Sequence, residues 1–168
     1  MRFTADMNPK GYSRPQIALH WIAAVLIVAQ FVLHDPIVAA WEAISKGEAP
    51  EVGLLVWWHL IGGSLILALV VWRLALRMKR GVPALPDKEA PLLKGLAHLT
   101  HWSLYALMFI LPITGLATWF GENETADFIH TTLKLPLLVL VLLHFAAALF
   151  QQFVLRTGLI NRMLRAEK

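Results

Sequence analysis

Two histidines near the end of the chain, His130 and His144, stand fourteen residues apart in a segment that is otherwise almost wholly apolar. Each residue of an α-helix turns the chain by about 100°, so fourteen residues bring the second side chain to within about 40° of the first. The same geometry separates the two rings by about 21 Å along the helix axis. We therefore expect the two imidazoles, which are common metal ligands, on one face of one helix at two depths.

The segments that must position these rings are long and apolar, which indicates a membrane protein. Hydrophobic residues make up 58% of the 168 residues and charged residues only 15%, whereas an ordinary soluble domain has about 25% charged residues. Four runs reach the length of about 20 residues that a bilayer-spanning helix needs. We predict a single all-α domain, an integral membrane four-helix bundle with helices at about 15–36, 52–78, 91–120 and 127–156. A short interfacial helix is predicted near residues 40–51.

Basic residues predict the orientation, because cytoplasmic loops carry an excess of Lys and Arg. Thirteen of the 15 Lys and Arg residues stand before the first predicted helix, around the connection between the second and third, or after the fourth. The opposite loops carry seven acidic residues and one lysine, Lys46. We therefore predict that both termini are cytoplasmic. The net charge of +4 reflects this topology and not a nucleic-acid footprint.

With this topology the histidines fall into two levels. His20 near the inner end of the first helix is level with His144, and His59 near the outer end of the second is level with His130. Opposed neutral imidazoles at one depth are the axial ligands of a b-type haem iron. We predict that these four histidines are metal ligands of two non-covalent haems b, each with bis-histidine iron. One alternative role for these histidines is hydrogen bonding across the bundle. Another is zinc binding, although a structural zinc site requires four ligands at one point.

Other polar residues fall near the inner level. His98 and His101 are spaced i, i+3 on the third helix. Either could replace a ligand, serve a propionate, a quinone or a proton path, or sit at the interface bonded to water or lipid. Arg73 shares the face of His59 at the inner depth. We predict that Arg73, Arg14 and His101 bind the cofactor through a propionate. For the two arginines the alternative is that their side chains snorkel to the membrane surface.

Two basic residues belong to the outer level. His34 follows the first apolar run, and we expect a solvated loop histidine there. Lys134 stands one turn inside from His130. Its ammonium group either snorkels outward or attracts an anion or a propionate near the outer haem.

Missing residue types exclude several chemistries. The chain has no cysteine, which excludes disulfides, iron–sulfur clusters, thiol catalysis and covalent haem attachment through C-x-x-C-H. It contains no P-loop, no G-x-G-x-x-G and no H-E-x-x-H motif.

Several segments resemble the prokaryotic cytochrome b561 family. They are residues 12–21 (YSRPQIALHW), His59 with Gly62-Gly63 and with Arg73-Leu74 and Arg77, residues 95–101 (GLAHLTH), residues 111–115 (LPITG), and His130 to His144 with residues 145–149 (FAAAL). The fourteen-residue histidine pair is also shared by cytochrome b subunits of formate dehydrogenases and some hydrogenases. The resemblance implies a four-helix bacterial inner-membrane protein with two b haems, held by His20 with His144 and by His59 with His130.

Three hypotheses for function follow. The first is a transmembrane electron conduit that exchanges electrons with ubiquinone or another membrane quinone and with a periplasmic donor. The resemblance adds superoxide as that donor, since some relatives oxidise superoxide at the outer face, whereas the acidic outer loops would repel it. The second is a membrane anchor subunit that relays electrons for a dehydrogenase or hydrogenase. The third is a non-haem membrane protein whose histidines serve a proton or metal path.

Overall fold

The computed structural model describes residues 9–85 and 90–167, and this part of the chain is helical without a strand. Four helices are long and apolar enough to cross a membrane, the last of them including a π-helical turn. The predicted all-α architecture with four spans is confirmed. In chain order the elements are α1 (Arg14–Val32), α2 (Asp35–Ser45), α3 (Leu54–Arg80), α4 (Pro91–Gly121), α5 (Glu124–Leu149), the π-helical turn (Phe150–Val154) and α6 (Leu159–Arg162).

The first span begins and ends at local signals. Ser13 caps α1, since its side chain accepts a hydrogen bond from the backbone N–H of Gln16, and the Gln16 side chain accepts one from the Ser13 N–H in return. Pro15 occupies the first turn, where its missing N–H costs nothing. The helix ends at Val32, a turn earlier than the sequence predicts, because Pro36 starts a separate helix, α2.

The short helix α2 packs against α3 at the outer end of the bundle. It spans Asp35–Ser45 and begins five residues before the interfacial helix that the sequence predicts. Ala40 is its buried residue, and it lies in a small cluster with Val56 and Leu60 of α3. This packing places the start of α2, with His34 and Asp35, over the outer end of the bundle.

The bundle core lies between the four spans, where α3 packs against both α1 and α4, and α4 packs against α5. The faces that point away from this core carry exposed apolar side chains, such as Val32, Leu54 and Phe128. This arrangement suits a bilayer, because lipid tails are as apolar as the side chains that they contact. The central core residues are Leu19, Leu26, Ile27, Ile66, Leu69, Val70, Leu104, Tyr105, Leu107, Met108, Leu111 and Leu137.

The N-terminal segment, the end of α3 and the C-terminal tail (residues 158–167) meet at one end of the bundle, which we call the inner end because its charge predicts a cytoplasmic location. The Glu167 carboxylate accepts from the backbone N–H of Lys10 at 3.1 Å and from the Arg80 guanidinium at 2.7 Å. The Glu167 N–H donates to the Tyr12 carbonyl at 3.0 Å. The Trp21 indole N–H donates to the Met163 carbonyl at 2.8 Å. The tail therefore closes the inner end.

The Glu167 contacts should hold the tail against proteolysis. Replacing Glu167 with Gln removes a partly exposed ion pair, which contributes at most about 1 kcal/mol and would therefore change local opening about fivefold. We expect trypsin to cleave after Arg162 and Arg165 several-fold faster in this variant, with unchanged helix content by circular dichroism. The matched control is Glu51→Gln, an exposed loop residue, which should cleave at the wild-type rate. Equal cleavage rates in both variants would contradict the role of Glu167.

Candidate functional site

His20 of α1 and His144 of α5 face each other near the inner end of the bundle. Their ring centroids lie 6.2 Å apart, and the ring planes are inclined by 67°. The pairing joins the first and last spans, which are distant in sequence. The two histidines that the sequence places at the inner depth are therefore brought together.

His59 of α3 and His130 of α5 form a second pair near the outer end. Their centroids lie 6.4 Å apart, with an interplanar angle of 70°. Both pairs share α5, so the register between His130 and His144 sets the distance between the two levels. Two imidazoles on opposite sides of one metal ion, each about 2.0 Å from it through nitrogen, would have centroids roughly 6 Å apart. Both gaps match that spacing.

The rings at these pairs are also available to a metal. Nδ1 of His20 and Nδ1 of His59 are buried, and neither has a hydrogen-bond partner among the described residues. A neutral imidazole that makes no hydrogen bond to the protein can bind a metal through a ring nitrogen. No group of three or more His, Cys, Asp or Glu side chains in the described ranges could hold a metal ion. The site therefore suits a metal that needs two protein ligands per level, as haem iron does.

His130 is the ring with the most defined surroundings. Its Nδ1 donates to the Leu111 carbonyl of α4 at 2.8 Å. The Thr114 hydroxyl lies 3.5 Å from the same nitrogen, and Gly115 lies next to the Cε1 and Nδ1 atoms of the ring. Metal-ligating histidines usually donate their second ring N–H in this way, which leaves the other nitrogen free for the metal.

His101 of α4 lies beside the inner pair rather than opposite to it. Its ring centroid is 5.2 Å from that of His144, closer than two rings with a metal between them would be. Its Nδ1 donates to the Ala97 carbonyl of its own helix at 2.6 Å. This geometry favours His20 over His101 as the partner of His144, and makes His101 a neighbour of the predicted ligand.

A cavity of about 410 Å³ opens below His101 at the inner end. Its charged lining residues are cationic, and no carboxylate of the described residues lines it. The Arg73 guanidinium lies 5.7 Å from the Tyr105 ring centroid, and the Arg77 guanidinium lies 5.5 Å from that of Trp102. Both distances suit cation–π contacts, which hold the two arginines at the cavity wall. The polar and charged lining residues are Tyr12, Gln16, Arg73, Arg77, Lys94, His98, His101 and Tyr105.

Tyr12 lies outside the spans, at the cavity wall. Burial raises the pKa of its phenol above the ordinary value of 10.0, although the nearby Arg73 and Arg77 oppose the shift. The phenol therefore stays protonated at neutral pH and can donate a hydrogen bond to an acceptor in the cavity.

The other residues that the sequence predicts near the inner level, His98 and Arg14, lie in different places. His98 is exposed but lines the inner cavity. Arg14 is exposed at the first turn of α1, and it is not among the residues that line the cavity. The structure thus gathers Arg73, His98 and His101, and leaves Arg14 outside their group.

At the outer end, a smaller cavity of about 90 Å³ is lined by His59 and His130 together with His34 and Lys134. The Lys134 ammonium donates to Nε2 of His34 at 3.2 Å, and Nδ1 of His34 lies 3.1 Å from the Asp35 carboxylate. The solvated loop histidine that we expected at position 34 is therefore a contact of Lys134. Lys134 lines the outer cavity instead of extending away from it, so a cation stands beside the outer pair.

The two glycines after His59 have different neighbours. A side chain on Gly62 would overlap the Gln30 carboxamide of α1, whereas Gly63 has open space and lines the outer cavity. Both polar atoms of Gln30 are buried without a partner in the described chain. Gly62 therefore allows α3 to pack closely against Gln30 of α1, and Gly63 leaves room in the outer cavity.

Sequence reasoning missed several of these residues. Leu111 contributes only its backbone carbonyl, which a pattern of side chains in the sequence cannot predict. Gln30 was overlooked, although a glutamine inside an apolar span is a polar residue in a membrane helix and could have been flagged on that ground. The sequence indicates Gly115 only as part of the LPITG segment.

Four helices are long and apolar enough to span a membrane, and three of them carry two facing histidine pairs, an architecture typical of multi-pass membrane cytochromes of the b type. The sequence profile of the prokaryotic cytochrome b561 family matches residues 11–166, and the chain belongs to that family. It is 33% identical to "Cytochrome b562" of Cereibacter sphaeroides over 159 residues, and 32% identical to "Probable superoxide oxidase CybB" of Yersinia pestis over 180 residues. Each alignment covers 92% of this chain and 96% of the relative.

Membership of this family identifies a bacterial multi-pass membrane cytochrome that binds b-type haem and transfers electrons. The resemblance that the sequence segments indicated is thus confirmed.

The register of α5 gives a direct prediction. Inserting one alanine after Leu140, between His130 and His144, should rotate the lower ring by about 100° relative to the upper one. One haem should then be lost, that of the inner pair, while the other remains. The control is one alanine inserted after Thr157, beyond the span. Pyridine haemochrome content per chain measures the loss, and retention of both haems would mean that α5 does not carry both ligands.

Proposed function

We propose that this protein carries electrons across the membrane through two b haems, one held by His20 and His144 and the other by His59 and His130. The observation that carries the proposal is the presence of two opposed ring pairs, with centroid separations of 6.2 and 6.4 Å. A bis-histidine haem iron has no open coordination position, so it supplies one-electron transfer and not oxygen activation. The chain supplies the rings, the register between the levels and an apolar surrounding.

The inner cavity is the proposed site of the electron acceptor, a membrane quinone such as ubiquinone. A quinone takes two electrons and two protons to become a quinol, and its two carbonyl oxygens need hydrogen-bond donors. Tyr12, Arg77 and His98 offer such donors in a cavity of about 410 Å³ that lies next to His101. Arg73 remains the proposed partner of a haem propionate, because it lines the same cavity close to the inner pair.

Histidine variants test the pairing. His20→Ala and His144→Ala should each lose the same haem, and the double variant should lose no more than either single variant. His59→Ala and His130→Ala should lose the other haem. Haem content and the α-band of the reduced spectrum report which haem is lost.

The matched control is His98→Ala, which removes an exposed histidine outside both pairs and should retain both haems. Pairing by a different set, such as His101 with His144, would appear as a haem that survives His20→Ala and disappears in His101→Ala. That result would contradict the proposed ligand set.

Superoxide is the proposed donor at the outer face. One relative is named a probable superoxide oxidase. The Lys134 ammonium lines the outer cavity, where it would attract a small anion despite the acidic loops. Two superoxide anions would release two O₂ and two electrons, which with two protons reduce one quinone to quinol. The predicted topology places this donor on the periplasmic side and both termini in the cytoplasm.

Replacing Lys134 with Gln should slow reduction of the haems by superoxide. Removal of one cation beside the outer pair should lower the second-order rate constant about two- to tenfold at low ionic strength, and the difference should shrink as salt is added. Stopped-flow spectroscopy measures the rate. Lys46→Gln is the matched control, since Lys46 is an outer lysine 3.9 Å from Glu42 and does not line the outer cavity.

Equal slowing by both lysine variants would indicate a general effect of surface charge. If superoxide reduces the wild-type haems no faster than its spontaneous decay allows, superoxide is not the donor. That outcome would leave the electron-transfer proposal intact, with a different donor.

A further inference from the structure

His130 differs from His20 and His59 in how its Nδ1 atom is used. Its Nδ1 donates to the Leu111 carbonyl on the neighbouring helix at 2.8 Å. Nδ1 of His20 and Nδ1 of His59 are buried without partners in the described part of the chain. Within the described residues, the outer predicted site thus has a ligand whose Nδ1 is held by the backbone of α4, whereas Nδ1 of His20 at the inner site has no such partner.

Gly115 makes this hydrogen bond sterically possible. A Cβ atom at position 115 would lie 2.8 Å from Cε1 and 3.0 Å from Nδ1 of His130. In an α-helix the carbonyl of residue i points toward the N–H of residue i+4. Residue 115 therefore borders the approach to the Leu111 oxygen, and any side chain there would stand where the His130 ring lies.

The surrounding ring contacts limit how far His130 could adjust. His59 is its neighbour on another side, with centroids 6.4 Å apart and ring planes inclined by 70°. A ring pushed away from Gly115 would lengthen the bond to Leu111 or change the gap to His59. Both quantities matter for a metal ligand, since one sets its basicity and the other its distance to the partner ring.

We propose that Gly115 is a positioning residue for the outer haem, which acts by holding the Nδ1–H of His130 on the Leu111 carbonyl. The hydrogen bond fixes the tautomer, so that Nε2 carries the lone pair for the iron. It also makes the imidazole a stronger donor, which stabilises the ferric over the ferrous state. Gly115 thereby keeps the midpoint potential of the outer haem lower than it would be without this bond.

This inference rests on the proposed ligand set. The test uses the full-length protein purified with its haems, and the two haem signals are first assigned by the signal that disappears in His59→Ala. The variant is Gly115→Ala. The matched control is Gly95→Ala on the same helix, where an added Cβ meets nothing within 4 Å.

Redox titration followed by optical and electron paramagnetic resonance spectra measures each haem separately. We expect Gly115→Ala to raise the midpoint potential of the outer haem and to alter its low-spin signal, because the signal depends on the angle between the two ring planes. The inner haem should be unchanged, and Gly95→Ala should leave both haems unchanged. Selective loss of the outer haem in Gly115→Ala would also support the proposal, because the inner haem then reports a folded bundle.

Three outcomes would overturn it. They are an unchanged outer haem in Gly115→Ala, an equal shift or loss of both haems, and the same shift in Gly95→Ala. Failure of the proposed function is distinguishable, since the wild-type protein would then not contain two haems.

Discussion

The interaction on which the rest of this structure depends is the opposition of two imidazole rings across a gap wide enough for one metal ion. Such a pair is costly to leave empty inside an apolar bundle, because its buried nitrogens have few other partners. The chain builds the arrangement twice, at 6.2 and 6.4 Å. Both pairs use α5, so one helix sets the distance between the two levels and α1 and α3 each supply one opposing ring.

The surroundings of the two pairs differ in the charges nearby and in how the rings are held. The inner pair adjoins a cavity whose charged lining is cationic in the described residues. Positive charge nearby favours the reduced, less positive state of an iron. The outer pair contains the ring held on the Leu111 carbonyl, which favours the oxidised state. The Lys134 cation lines the cavity beside the outer pair, so positive charge favours reduction at both levels.

The sequence predicts depth well and lateral contacts poorly, for a physical reason. Depth along a span is a linear function of residue number, so the levels of His20, His59, His130 and His144 follow from helix geometry. The contacts between spans depend on how each helix is rotated against its neighbours and on side-chain rotamers. The bond between Lys134 and His34 joins positions one hundred residues apart in sequence, and no periodicity predicts it.

Contacts made by backbone atoms could not be predicted from the sequence either. The Leu111 carbonyl and the absence of a side chain at Gly115 affect His130 through the geometry of the main chain. The LPITG segment indicates these two positions only through its resemblance to the family. The early end of α1 follows from Pro36, whose position was visible in the sequence, although its consequence for His34 required the packing of α2 on α3.

The most direct test of the central claim is the ratio of haem to protein in the purified wild-type chain. Pyridine haemochrome analysis against a protein concentration from amino-acid analysis should give about two b haems per chain, since four ligands serve two bis-histidine irons. A ratio of about one, or no haem at all, would contradict the account, because at least one of the opposed histidine pairs would then have another role.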